Sequence, residues 1–221
     1  MLTPEEIAAH LAAVNARIEA ACMKAGRKRE EVTLVAVSKT FPAEAVTNAI
    51  AAGATHVGEN KVQEAREKKP LVQGNARWHL IGHLQSNKAK DAVRLFDVIE
   101  TVDSVELAEK LGKAALAIGK KQEILIQVNV GREEQKSGAD PTDVPALARE
   151  MAGIDGISLR GLMAIPPFDQ EPRPYFRSMR ELQQRTGVAE LSMGMSEDFE
   201  IAIEEGSTIV RVGRAIFGAR G

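Results

Sequence analysis

Lys39 closes an apolar run, Thr33-Leu34-Val35-Ala36-Val37-Ser38-Lys39-Thr40. The run is rich in aliphatic and β-branched residues and reads as a buried strand. Pro42 follows and opens a helical stretch over 43–52. A lysine where a strand gives way to a loop can be partly desolvated, lose its proton and attack a carbonyl. The alternative is a side chain that snorkels to solvent from a strand end. A second group of residues bears on the choice. Ser192-Met193-Gly194-Met195-Ser196 and Val210-Arg211-Val212-Gly213-Arg214 each follow or contain a strand-like stretch. Gly194 lets the backbone approach an anion, and Ser196 is placed to cap the next helix with its hydroxyl. Gly213 stands before Arg214-Ala215-Ile216-Phe217, one short helical turn. Exposed N–H groups at such helix starts suit a phosphate dianion, and Arg211 or Arg214 would add a charge-assisted hydrogen bond. The alternative is two ordinary turn glycines and two arginines in surface ion pairs. Glu197 and Asp198 count against an anion, because they satisfy the helix dipole themselves unless they point away.

These residues need a frame that brings them together. The first helix is expected over 4–25, with Thr3 as cap, Pro4 at the first position and Glu6 completing a capping box. Ile7, Leu11, Val14, Ile18 and Cys22 give it one apolar face. Strands then fit 33–37, 55–58, 77–81, 97–101, 123–130, 158–164, 189–192 and 208–212. Helices fit between them at 43–52, 61–69, 87–95, 105–118, 144–152, 174–186 and 197–205. Asn60, Ser86, Asp103 and Ser196 are the expected caps. The strands lack clean alternation, which argues for cover on both faces and a parallel sheet. Eight strand–helix units with no linker predict an α/β fold. It is a single-domain (β/α)8 TIM-type barrel over 1–221, preceded by an N-terminal helix. A doubly wound open sheet is the alternative, but no G-x-G-x-x-G follows the first strand. In a barrel of this kind the strand C-terminal ends carry the site. That rule places Lys39, Asn60, His83, Asn129, Pro166, Ser196, Arg211, Gly213 and Arg214 around one mouth.

Composition narrows the function classes. Of 221 residues, 44% are hydrophobic, enough for one sizeable core, and the net charge of −2 gives no basic footprint for nucleic acid or an anionic membrane. Cys22, the only cysteine, rules out an intramolecular disulfide and fits a reducing compartment. No apolar run approaches the roughly 20 residues a membrane span needs, and the N-terminus reads as a helix start rather than a signal peptide. A cytoplasmic protein is expected. His10 and His56 have no metal-ligand spacing, so no metal site is expected. His79 is expected inside its strand, and Trp78 in the core or at the rim.

A nucleophilic amine and a phosphate cradle facing the same mouth suit two ligand classes. One is pyridoxal 5′-phosphate; the other is a sugar phosphate undergoing a Schiff-base aldol reaction. Longer stretches then bear on the choice. Val35-Ala36-Val37-Ser38-Lys39-Thr40 and Gly58-Glu59-Asn60-Lys61-Val62-Gln63-Glu64 are followed by Trp78-His79-Leu80-Ile81-Gly82-His83-Leu84-Gln85-Ser86-Asn87-Lys88. Lys136-Ser137-Gly138, Arg160 to Pro166, the serine-glycine-serine loop and Arg211 to Gly218 complete the pattern. Together they resemble the pyridoxal phosphate homeostasis protein family, small relatives of the alanine racemase barrel that lack its second domain.

The resemblance implies that Lys39 carries pyridoxal phosphate as an internal aldimine. It implies that Ser196, Arg211 and Gly213 surround the phosphate and that Asn60 lies close by. At 214 a small hydroxyl residue is expected in many relatives. Arg214 therefore leaves open whether a guanidinium or a backbone N–H meets the phosphate. A racemase needs a second acid/base group. The tyrosine that serves in alanine racemase belongs to the missing domain, and Tyr175 reads as an ordinary helix residue. The expected role is to hold pyridoxal phosphate and affect its supply, with pyridoxal-phosphate-dependent apo-enzymes as recipients and a monomeric state. A racemase or decarboxylase of narrow scope and a Schiff-base aldolase are the alternatives. His83, nearer the mouth than His79, could contact the cofactor or remain solvated.

Overall fold

The computed structural model describes residues 2–218. Helix α1, Pro4–Lys24, starts as its sequence dictates. Thr3 Oγ1 accepts the Glu6 N–H at 3.2 Å, and Glu6 Oε2 accepts the Thr3 N–H at 2.8 Å. The stripe Ile7, Leu11, Val14, Ile18 and Cys22 is buried. It packs against a cluster that includes Ala45, Phe199, Val212, Ile216 and Phe217.

Eight strands follow: β1 Thr33–Val37, β2 His56–Glu59, β3 Arg77–Leu80, β4 Val98–Val102, β5 Gln122–Val128, β6 Ile157–Ala164, β7 Glu190–Ser192 and β8 Ile209–Val212. The remaining helices are α2 Ala43–Ala51, α3 Val62–Lys68, α4 Ala89–Leu95, α5 Val105–Leu116, α6 Val144–Ala152, α7 Arg173–Thr186, α8 Phe199–Glu204 and α9 Arg214–Phe217. Each strand pairs in parallel with the next, and β8 returns to β1, which closes the barrel. At the seam Val35 faces Arg211 and Ala36 faces Val212; on its other side Val37 pairs with Gly58. The predicted barrel is therefore the observed one. The open doubly wound sheet is excluded by the β1–β8 pairing.

The main core lies between barrel and helices, where Val57, Leu80, Ile99, Ile124, Ile126, Leu162 and Leu191 meet helical residues such as Leu111, Met151 and Met179. Inside the barrel, Val35, Val98, Leu125, Met163 and Ile209 form a smaller apolar cluster. Side chains alternate along a strand. Two residues beyond Val98 and Ile209, one step nearer the C-terminal ends, stand Glu100 and Arg211, both buried.

Element ends differ from expectation where side chains find other work. Helix α5 is capped by Ser104, whose hydroxyl accepts the Leu107 N–H at 3.3 Å, rather than by Asp103. Helix α3 starts one residue later than expected, with Lys61 at the cap position. Ser86 opens a 3-10 turn, Ser86–Lys88, ahead of α4. Strand β5 stops at Val128, because the Asn129 amide is drawn into the following loop. It donates to the carbonyl of Glu133 at 2.8 Å and accepts the Glu133 N–H at 3.1 Å. Among the described residues no helix is long and apolar enough to cross a membrane.

Candidate functional site

At the C-terminal ends of the strands lies a cavity of about 610 Å³. Lys39, Asn60, Ser196, Arg211, Gly213 and Arg214 all line it, together with Val37, Ile81, Lys136, Pro166, Met195 and Asp198. Loops after β1, β2, β6, β7 and β8 thus converge on one space, as the barrel rule requires.

Lys39 is half-buried on this wall, and both of its chain neighbours are pinned. The Ser38 hydroxyl donates to Glu59 Oε1 at 2.6 Å. Lys68 Nζ donates to the Ser38 carbonyl at 2.9 Å, to Glu59 Oε1 at 2.5 Å and to Glu64 Oε1 at 2.9 Å. On the other side the Thr40 N–H donates to Glu64 Oε1 at 2.5 Å. Thr40 has φ +71°, a left-handed conformation that a β-branched residue rarely adopts. The carboxylate bond offsets that strain and holds the turn that aims Lys39. Glu59 is completely buried and its Oε2 has no hydrogen bond among the described residues. Burial pushes its carboxyl above the usual range, with Lys68 and Ser38 opposing. Glu64 moves the other way: burial opposes, but Lys68 and the Thr40 N–H hold it below its ordinary value.

Opposite, the β7 and β8 loops form the second wall. Gly194 has φ +95°, and a Cβ there would meet Ala202 Cβ at 2.6 Å and Phe199 Cα at 2.9 Å, so only glycine fits. The expectation that Ser196 caps the next helix is not met. Helix α8 begins at Phe199, with Asp198 at the cap position. Ser196 instead lies in the loop that lines the cavity. Asp198 Oδ1 accepts the Met195 N–H at 2.6 Å, which braces that loop. Burial raises Asp198, while that hydrogen bond and the positive charge of Arg211 oppose the rise. Glu197 is paired with the exposed Arg214, linking the two loops. Both acids that argued against an anion are thus engaged with protein groups. Gly213 caps α9, the short turn predicted for 214–217.

Arg211 is 3% exposed, and its guanidinium points across the barrel floor. It donates to Ser192 Oγ at 2.5 Å and to the Ala164 carbonyl at 2.9 Å, with Glu100 Oε2 at 3.8 Å. Burial pushes it down from its ordinary value, opposed by Glu100 and Asp198. Among the expected bystanders, His79 is buried and Trp78 packs in the core, whereas His83 is exposed beside Ser137 Oγ at 3.3 Å. His83 is absent from the described cavity lining. The Tyr175 hydroxyl bonds Gln170, on the loop before α7. Sequence reasoning placed Glu59 at the end of the second strand but gave it no role, and gave none to Glu64, Lys68 or Glu100. Glu59 and Glu100 carried a signal, each being a carboxylate inside an otherwise apolar strand, where only a buried partner makes ionisation tolerable.

The chain fits the family model "Alanine racemase, N-terminal domain" over residues 9–221. It is 42% identical over 220 residues to the pyridoxal phosphate homeostasis protein of Aquifex aeolicus, covering 95% of this chain and 96% of that one. The chain belongs to this family. The Pseudomonas aeruginosa member is 44% identical over 220 residues, covering 97% of this chain and 96% of that one. Among solved structures, PipY of Synechococcus elongatus with PLP bound superposes with a TM-score of 0.84 at 38% identity. The match covers 96% of this chain and all of that one.

Proposed function

We propose that this protein binds pyridoxal 5′-phosphate through a Schiff base on Lys39 and serves intracellular homeostasis of that cofactor, without robust turnover of its own. One observation carries the reading: the Lys39 amine, the loops of Ser196 and Gly213 and the buried Arg211 guanidinium line a single cavity at the barrel mouth. The fit is also steric. A Cβ at Gly213 would stand 3.1 Å from the Val37 carbonyl oxygen, so glycine keeps that wall of the cavity open next to β1. Condensation of the Lys39 amine with the aldehyde forms one C=N bond and releases one water. Bound in this way, pyridoxal phosphate supplies an electron sink for bonds at an amino-acid α-carbon. Lys39 supplies the covalent link, and Ser196, Gly213 and Arg214 flank the place for the phosphate. Arg211 provides a fixed positive charge at the cavity floor, and Asn60 lines the same cavity. The relatives named as homeostasis proteins and the PLP-bound PipY support this assignment.

The second reading, a narrow amino-acid racemase, needs a proton donor or acceptor on each face of a planar substrate. Besides Lys39 the lining offers Lys136, Glu197 and Asp198. Each is engaged with a protein group, Lys136 with Glu133, Glu197 with Arg214 and Asp198 with the Met195 N–H, which favours the holding role. The protein works in the cytoplasm as a monomer, and passes cofactor to pyridoxal-phosphate-dependent apo-enzymes. Absorption spectroscopy of the protein as isolated tests the reading. A yellow wild type and a colourless Lys39→Ala variant are expected. A colourless wild type incubated with pyridoxal phosphate refutes it. Solvent-deuterium exchange into amino acids at about 1 per second or faster would establish the racemase instead.

A further inference from the structure

Beneath the cavity a hydrogen-bonded chain crosses the barrel. Arg211 NH1 donates to Ser192 Oγ at 2.5 Å, and the Ser192 hydroxyl donates to Glu100 Oε2 at 2.5 Å. From the other side His79 Nδ1 lies 2.6 Å from Glu100 Oε1, and His56 Nδ1 lies 2.9 Å from His79 Nε2. The directions are mutually consistent. A guanidinium can only donate, so Ser192 accepts from Arg211 and must turn its own proton to Glu100. A carboxylate can only accept, so His79 donates to Glu100 through Nδ1. The protons of Arg211, Ser192 and His79 Nδ1 thus converge on Glu100.

Such a chain is a poor way to stabilise a core. Burying a carboxylate and a guanidinium costs solvation that their attraction does not reliably recover, and apolar residues of similar volume commonly do as well. Its distinctive effect is geometric. Arg211 carries a long side chain with many rotamers at the floor of an open cavity. Glu100 selects one of them, through Ser192 and by direct charge at 3.8 Å. Glu100 itself is anchored by His79, so its carboxylate plane cannot rotate away. Glu100 stays ionised despite complete burial: burial pushes its carboxyl up, but the His79 hydrogen bond, the His79 and Arg211 charges and Ser192 outweigh it and hold it below the usual range.

We infer that Glu100 is a positioning residue for the cofactor cavity, acting through Ser192 to fix the Arg211 guanidinium against bound pyridoxal phosphate. The inference rests on the cofactor reading above. Glu100→Gln keeps shape but replaces one acceptor oxygen with a donor, so one of its two partners meets a proton instead of a lone pair. The experiment follows release of pyridoxal phosphate from the holoprotein into dialysis buffer, by the decay of its visible band. Wild type, Glu100→Gln, Arg211→Gln and the double variant are compared. Release from Glu100→Gln should be about 10-fold faster, the effect of losing one hydrogen bond to a charged group, with a displaced visible maximum. The double variant should release no faster than Arg211→Gln alone, because the first change acts only through the second residue. Ser192→Ala, which removes the bridging hydroxyl and no charge, should also speed release, and it serves if Glu100→Gln does not fold. Effects that multiply in the double variant overturn the inference. So does a Glu100→Gln or Ser192→Ala holoprotein that matches wild type in release and spectrum. A wild type that never becomes yellow overturns the cofactor reading itself, and the inference with it.

Discussion

Lys68→Met offers a stringent test of how the turn around Lys39 is held. The ammonium group makes three hydrogen bonds, to the Ser38 carbonyl and to the carboxylates of Glu59 and Glu64. Lys68 is 7% exposed and Glu59 is 0% exposed, so both charges are out of water. Methionine fills the space of the stem but carries none of those bonds. Glu59 then keeps only the Ser38 hydroxyl, and its second oxygen is already unpartnered. Removing one member of a buried pair costs about 3–5 kcal/mol. Because burial already raises the Glu59 pKa, the stranded carboxyl takes up a proton more readily than an ordinary glutamate. That escape places the expected loss at the lower end, about 3 kcal/mol. The assay is urea unfolding of wild type, Lys68→Met, Glu59→Gln and the double variant. Neutralising the stranded acid should recover about 1–2 kcal/mol, so the two changes should be non-additive. Borohydride trapping of pyridoxal phosphate on Lys39 should also slow in Lys68→Met, since the turn loses its brace. A loss under about 1 kcal/mol, or strictly additive changes, would refute the argument that Lys68 holds Ser38 and the two acids together.

Other perturbations test separate parts of the structure. His56 is pushed down to about 4 by burial and the neighbouring His79 and Arg77. The unfolded chain takes up its proton below its ordinary value near 6.5, while the folded chain resists until about 4. The neutral ring therefore contributes stability above about pH 6.5 that is lost as pH falls toward 4. After allowing for partial exposure, the loss is about 1–2 kcal/mol, and His56→Asn should flatten that part of the pH–stability curve. Gly82→Ala should cost about 1–3 kcal/mol by overpacking and weaken cofactor retention, because the new Cβ would lie 2.8 Å from Asn60 Cα. Unchanged unfolding and retention would show that the β2 and β3 ends separate freely. Arg211→Gln should weaken retention by about 1.5–3 kcal/mol, the usual worth of a hydrogen bond to a charged group. Retention equal to wild type in dialysis would remove Arg211 from the site.

The barrel was legible because its signals are local. A short apolar strand, a turn and an amphipathic helix recur eight times, and each can be read within about 15 residues. Lys39 was legible for the same reason, as an amine closing an apolar run. So were the glycines of the last two loops. The polar interior was not legible, because its partners lie far apart in sequence. Ser38 and Glu59 are separated by 21 residues, and Ser192 and Glu100 by 92. No periodicity links such pairs; only closure of the sheet does. Helix starts also escaped where two candidate caps adjoin, as at Asp103 and Ser104. There the backbone conformation of Ser104 decides.

The central claim is chemical and can be measured at one side chain. Wild-type protein loaded with pyridoxal phosphate is reduced with borohydride, digested and mapped by mass spectrometry. The account predicts a single phosphopyridoxyl group on Lys39, at close to one per chain. A reduced label on another lysine, or none at all, would contradict it.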